Sequence, residues 1–287
     1  MKSICIKTNM SNLLDYLLNE FKALNLDNIC FSSNSFKNYR NIIIHYKGEN
    51  EKQFISEVSS ILSYLVLDEM EEKILKNLLF KNYFYFDSLE RQKILDICME
   101  ISSEDISNYF EQKFDYLCTS FNNYIQKHKT IVLSGFVNFR LPKYFSLLES
   151  IIDDAVNMYL FEKEYLEFIS LLKLYINSQK SKTNTVHLIY IKDDPILLDE
   201  NKNIINITSD LSKVKYLSDI SFSTNDFILN TLLNLIPKEI YIHIIDNYVD
   251  DFLSTINLIF ENRVKICTDC DICKLYKKVN IGDKNGG

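Results

Sequence analysis

Residues 135–176 read GFVNFRLPKYFSLLESIIDDAVNMYLFEKEYLEFISLLKLYI, and the fold class turns on this run. Stepping by three and four residues from Leu147, the side chains of Leu147, Ile151, Met158, Phe161, Tyr165, Phe168, Leu172 and Tyr175 share one helical stripe, interrupted by Asp154. Leu148, Ile152, Ala155, Tyr159, Leu166 and Ile169 form a second stripe beside it, interrupted by Glu162. Two adjacent stripes are wider than one partner helix covers, so the spacing predicts a central, nearly surrounded helix. Pro142 suits its first turn, where the missing N–H has no partner to lose. Asp153, Asn157, Glu164 and Glu167 form the wetter side.

Upstream of this helix, Ile4–Thr8 alternates like a strand, and Leu13, Leu17, Leu18, Phe21 and Leu24 make an amphipathic helix opened by Asn9 or Ser11. Asn28–Ser32 and Asn41–Tyr46 read as strands, the last ending at a Lys47–Gly48 turn. The expectation is a small β-α-β-β unit over residues 1–48, a size that leans on something larger. Residues 49–180 are read as a helical domain. One long segment runs from Phe54 through Leu79, a second helix is capped by Asp87 or Ser88, and a third passes through Phe110, Phe114, Leu117, Phe121 and Ile125.

Downstream, the period changes from helical to alternating. Val186–Ile191 and Ile196–Asp199 are read as strands around a turn at 192–195, and Ser223, Thr224 and Asn225 cap a helix that Pro237 ends. Glu239–Ile245, Val249–Phe260 and Arg263–Cys267 then predict a parallel β-α-β unit. The fold class is therefore α+β: a small N-terminal β-α-β-β unit, a predominantly helical middle, and a C-terminal α/β unit over 181–276, with 277–287 as a disordered tail.

Composition removes several functions. Lys and Arg total 32 against 39 Asp and Glu, a net charge of −7, so the basic excess that non-specific nucleic-acid or anionic-membrane binding needs is missing. The N-terminal stretch does not read as a signal peptide, and no apolar run approaches spanning length, which predicts a cytoplasmic protein without membrane insertion. Seven cysteines in a reducing compartment are expected to be thiols or metal ligands. Only Gly48 and Gly135 precede the last residues, too few for phosphate loops or dinucleotide folds.

One spacing carries chemistry: Cys267, Cys270 and Cys273, three thiols at two-residue intervals directly after a strand. From one turn such thiols can converge on a single zinc ion, and they also resemble three ligands of an iron–sulfur run whose fourth position, 277, is a lysine. In a parallel β-α-β unit Cys267 shares the carboxyl edge with Ile245 and Asp246, so His243 or Asp246 can complete the site. Asp154 and Glu162 are candidate acid–base carboxylates because they interrupt apolar stripes. Asp269 and Asp271 have the spacing of a magnesium pair, and Arg140 and Lys143 form an anion patch with Lys127, His128 and Lys129. His187 reads as a packed strand histidine, and no Glu-x-x-His or G-x-S-x-G occurs.

The blocks GFVNFRLPKY, DDAV and EKEYLEF within residues 135–168 resemble the YtxC-like family of endospore-forming bacteria. Pro237–His243 and Asn262–Cys267, with the two cysteines that follow, are similar to the family's closing segment, with Asn262 where glycine is expected. The resemblance is strongest over residues 130–273 and implies a role in sporulation, without an activity or catalytic residue to carry over. The reading is a non-enzymatic factor that binds or assembles a protein partner, or alternatively a metal-binding, redox-sensing protein using the three thiols.

Overall fold

The computed structural model describes residues 1–24, 28–36, 39–103, 108–191, 195–205, 223–246 and 248–283, with the backbone alone for Ser11 and 278–283. The turn at 192–194, the stretch 208–222 and the last four residues therefore lie outside the described residues. The chain is α+β, as its periodicities predict. It divides into two compact units, Met1–Glu162 and Lys163–Gly287.

The first unit opens with β1 (Lys2–Thr8), α1 (Ser11–Ala23), β2 (Ile29–Ser35) and β3 (Arg40–Tyr46), the expected β-α-β-β order. β3 pairs antiparallel with both β1 and β2, placing Ile4 opposite Ile44 and Ile6 opposite Ile42. A fourth strand, β4 (Thr130–Val132), joins parallel to β1 with Ile6 opposite Ile131. Three residues carry too little alternation to announce a strand. Gly48 follows β3 where a Cβ would meet the Tyr46 ring at 2.3 Å, so the turn there needs glycine for lack of space.

The helices of this unit are α2 (Glu51–Glu69), α3 (Glu71–Asn82), α4 (Ser88–Ser103), α5 (Tyr109–Lys127) and α6 (Leu133–Arg140). Asp87 caps α4, its Oδ1 accepting the N–H groups of Leu89 and Glu90 at 2.8 Å. The segment read as one helix from Phe54 to Leu79 is instead broken at Met70 (φ −121°, ψ −27°). The step turns Glu71 inward, where a continuous apolar pattern gives no warning of it. Sheet and helices share one apolar core running from Ile4 to Tyr159, so the N-terminal strands lean on the helices as their size requires.

α7 (Pro142–Ser178) begins at the expected proline and spans both units. In the first unit it buries Tyr144, Leu148, Ile151, Ile152, Ala155, Val156 and Tyr159. In the second unit its buried residues reduce to Ile169 and Ile176, with Tyr165 and Leu172 partly covered, while Phe168, Leu171 and Leu174 are 54, 64 and 68% exposed. The prediction of a nearly surrounded helix therefore holds only up to Val156: from Met158 and Phe161 onward much of the apolar periodicity faces outward.

The second unit adds β5 (Thr185–Tyr190), β6 (Ile196–Leu198), α8 (Thr224–Leu235), β7 (Glu239–Ile244), α9 (Asp251–Phe260), β8 (Val264–Cys267) and α10 (Asp271–Asp283). Its sheet has the order β6-β5-β7-β8, with β5, β7 and β8 parallel and β6 antiparallel to β5. Ser223 and Asp226 form a capping box at α8, and Asp250 caps α9. Helix α9 ends on a positive φ at Glu261 (47°) rather than at Asn262, which lies inside the following turn Glu261–Arg263. α10 continues to Asp283, so residues 277–283, read from sequence as tail, are helical.

Strand alternation sorts this sheet into two faces. Val186, Leu188, Tyr190, Ile240, Ile242 and Ile244 point to one core with α8, α9 and the second part of α7. His187, Ile189, Tyr241, His243 and Ile245 take the opposite parity. On that face the fully buried cluster is small: Ile189, Leu198, Ile245 and Cys273.

Candidate metal centre

Parallel pairing of β7 and β8 puts Cys267 directly opposite His243 at the carboxyl edge of the sheet. The chain then bends through Thr268, Asp269 and Cys270 and enters α10 at Asp271. Cys270 sits just before that helix: its Sγ accepts the Cys273 N–H at 3.5 Å and its carbonyl the Lys274 N–H at 2.9 Å. Cys273, in the first turn, is thereby carried back over β7. The result is a cluster of His243, Cys267, Cys270 and Cys273 whose ligand atoms all lie within 4.8 Å of one another.

His243 Nδ1 stands 3.4 Å from both the Cys270 and the Cys273 Sγ. The Cys273 Sγ is 3.7 Å from that of Cys270 and 3.9 Å from that of Cys267. Zinc bonds of about 2.3 Å to sulfur and about 2.0 Å to nitrogen in a tetrahedron require S···S near 3.8 Å and S···N near 3.5 Å. These side chains can hold one ion with little rearrangement. Its inner side is buried, with His243 2% and Cys273 0% exposed, while Cys267 and Cys270 are half-buried.

The electrostatics suit a neutral imidazole facing thiolates. Burial, with His187 adding to it, pushes His243 down to about 4, so the ring is uncharged near neutral pH and has one nitrogen free to ligate. Burial pushes the Cys273 thiol up to about 11. Burial also acts to raise Cys270, but the Cys273 N–H and the neighbouring thiols outweigh it and hold Cys270 below the ordinary thiol range. Of this pair, Cys270 ionises before Cys273.

The fourth side chain of the cluster is His243 and not Asp246, which is exposed. Behind His243, its Nε2 lies 3.0 Å from the Nδ1 of His187. His187, read from sequence as a packed strand residue, is a polar neighbour of the site. The parallel pairing that sets it opposite Tyr241, two residues short of His243, was its only available signal.

Among the described residues, none of the other candidates falls in a metal-ligand cluster. Asp154 is exposed and accepts a hydrogen bond from Tyr109 at 2.9 Å, and Glu162 is exposed as well. Arg140 and Lys143 lie over the rings of Tyr124 and Tyr116, at 5.2 and 5.8 Å. Asp269 is exposed and pairs with Lys274 at 3.7 Å. The buried carboxylate of the first unit is instead Glu71, 3% exposed, which accepts hydrogen bonds from Lys113, Ser102 and Tyr144. Lys113 prolongs the buried stripe Leu117, Phe121 and Ile125 of α5 by one turn, a visible but ambiguous mark.

A model of the YtxC-like family matches residues 56–265. The chain belongs to this family. The match reaches N-terminally into α2, beyond the stretch where the resemblance is strongest, and it ends before Cys267; His187 and His243 lie inside it, the three thiols after it. The chain is 23% identical over 216 residues to the uncharacterized protein YtxC of Bacillus subtilis (strain 168), covering 72% of this chain and 74% of that relative. No solved structure matches the chain. Among the described residues, no helix is long and apolar enough to cross a membrane.

Proposed function

We propose that this protein is a non-enzymatic, cytoplasmic binding or assembly factor of sporulation whose C-terminal unit is held together by one zinc ion on His243, Cys267, Cys270 and Cys273. The observation that carries the zinc reading is that four of the six donor separations, 3.4 to 3.9 Å, match the edges of a single-ion tetrahedron, the other two lying within 4.8 Å. An iron–sulfur cluster divides its protein ligands among two or more irons and so spreads the whole set farther apart than one ion does. Three sulfurs and one nitrogen also fill the tetrahedron, as in structural zinc sites, whereas catalytic sites keep one position open.

The ion has a structural task to perform. Among the described residues, the buried apolar side chains beneath α10 are Ile189, Leu198 and Ile245, with Ile191 and Ile196 partly covered, a small surface on which to fix a thirteen-residue helix by apolar contact alone. Outward apolar residues on α7, Phe168, Leu171 and Leu174, favour a protein partner, and the net charge of −7 disfavours nucleic acid. Sporulation enters through the resemblance of the 135–176 block to a family of endospore-forming bacteria.

The test is to purify the protein anaerobically without added metal and measure zinc and iron beside a variant with Cys267, Cys270 and Cys273 changed to serine. Near-stoichiometric zinc, lost in the variant, is the expected result. No metal in either protein refutes the zinc centre, and iron with visible thiolate-to-iron absorption replaces it with an iron site. A deletion strain that sporulates normally refutes the biological half.

A further inference from the structure

We infer that His187 is the positioning residue of the zinc centre: its Nδ1 accepts the Nε2–H of His243 and so aims the Nδ1 lone pair of His243 at the ion. This rests on the zinc reading above. The His243 nitrogen 3.4 Å from two sulfurs is Nδ1, so when that nitrogen ligates the ion the hydrogen of the neutral ring is on Nε2. That N–H is buried and needs an acceptor, and His187 Nδ1 stands 3.0 Å away. His187 must then keep its own proton on Nε2. One hydrogen bond thus fixes the tautomers of two rings.

The sheet supplies the alignment. His187 lies opposite Tyr241 in the β5–β7 register, two positions before His243 and on the same face. Its ring stacks on Tyr241 at 5.4 Å and on His243 at 5.2 Å, with interplanar angles of 27° and 29°. The acceptor is therefore clamped between strand backbone and an aromatic neighbour, not presented by a free side chain. Outer hydrogen bonds of this kind orient ligating imidazoles and raise their basicity. A histidine that merely filled space would pack equally well as phenylalanine.

Two variants separate these roles: His187→Phe keeps a stacked ring without the acceptor, and His187→Gln supplies an amide oxygen without the ring. Zinc affinity of the full chain, measured by competition with a chelator of known affinity, should fall about 10- to 100-fold in His187→Phe. His187→Gln should recover most of that loss. Equal affinity for wild type and His187→Phe, or equal loss in both variants, overturns the assignment while leaving the zinc centre standing. Long-range proton–nitrogen correlation on the zinc-loaded wild type decides the matter even if a variant does not fold. Zinc on His243 Nδ1 with a protonated Nε2 is expected, and zinc on Nε2 overturns it. A wild type that takes no zinc overturns this inference together with the reading it rests on.

Discussion

Replacing Lys113 by Met should be among the most damaging single changes in the first unit. Lys113 and Glu71 are 1% and 3% exposed, and the lysine Nζ donates to the Glu71 carboxylate and to Ser102. Burial pushes the Lys113 ammonium down, with Glu71 pulling the other way, so the pair is held by mutual neutralisation. Methionine keeps the packed stem but strands a buried carboxylate whose remaining donors are the hydroxyls of Ser102 and Tyr144. Removing one partner of a buried pair costs about 3–5 kcal/mol. At roughly 2 kcal/mol per molar urea, that is a midpoint shift near 2 M. The double variant Glu71→Gln/Lys113→Met removes both charges and leaves an amide oxygen for Tyr144, so it should return to within about 1–2 kcal/mol of wild type. Urea unfolding followed by circular dichroism reads all three proteins. A loss below about 1 kcal/mol for Lys113→Met, or a double variant as unstable as the single one, refutes the argument, the second by tracing the loss to packing.

Chelating the zinc should free α10 while leaving the first unit intact. For zinc about a thousandfold above its Kd, removal takes away roughly 4 kcal/mol, so the amides of Ile272 to Lys277 should exchange about a thousandfold faster while those of α2 stay unchanged. Unchanged exchange in α10 would show that the helix docks without metal. In metal-free protein, acid should weaken the second unit through His243. Its folded value, about 4, lies below the ordinary 6.5, so between those values the unfolded chain binds a proton that the folded chain refuses. Stability should therefore fall by up to about 3 kcal/mol as pH drops from 6.5 to 4, and flatten below. A His243→Gln variant with the same slope would assign the effect to other groups.

Much of this was legible in residues with strong periodicity. The strands of the N-terminal unit and the parallel β-α-β of the second announce themselves by alternation, and the parallel assignment is what brings His243 to three thiols that are near one another in sequence. What escaped notice depended on the partner across space. Glu71 and Lys113 look like solvated charges until a helix break and a buried stripe bring them together. His187 becomes a neighbour of the site only through strand register. The outward residues of α7 have the same period as the buried ones, because periodicity reports a face and not whether anything covers it.

The pairing of β1 with β4 has a consequence for the order of assembly. Cys5 lies opposite Thr130 and Ile6 opposite Ile131, so the second strand of the chain's first hydrogen-bonded pair to form across this edge is made some 120 residues later. Helices α2 to α5 close their backbone hydrogen bonds within themselves and can form as the ribosome releases them, whereas β1 keeps one row of amides and carbonyls open until Thr130–Val132 has emerged. During synthesis that edge is the place where a nascent chain is most exposed to pairing with the wrong strand. The shortest strand in the first unit is thus its closing latch: three residues that cover the last open side of β1.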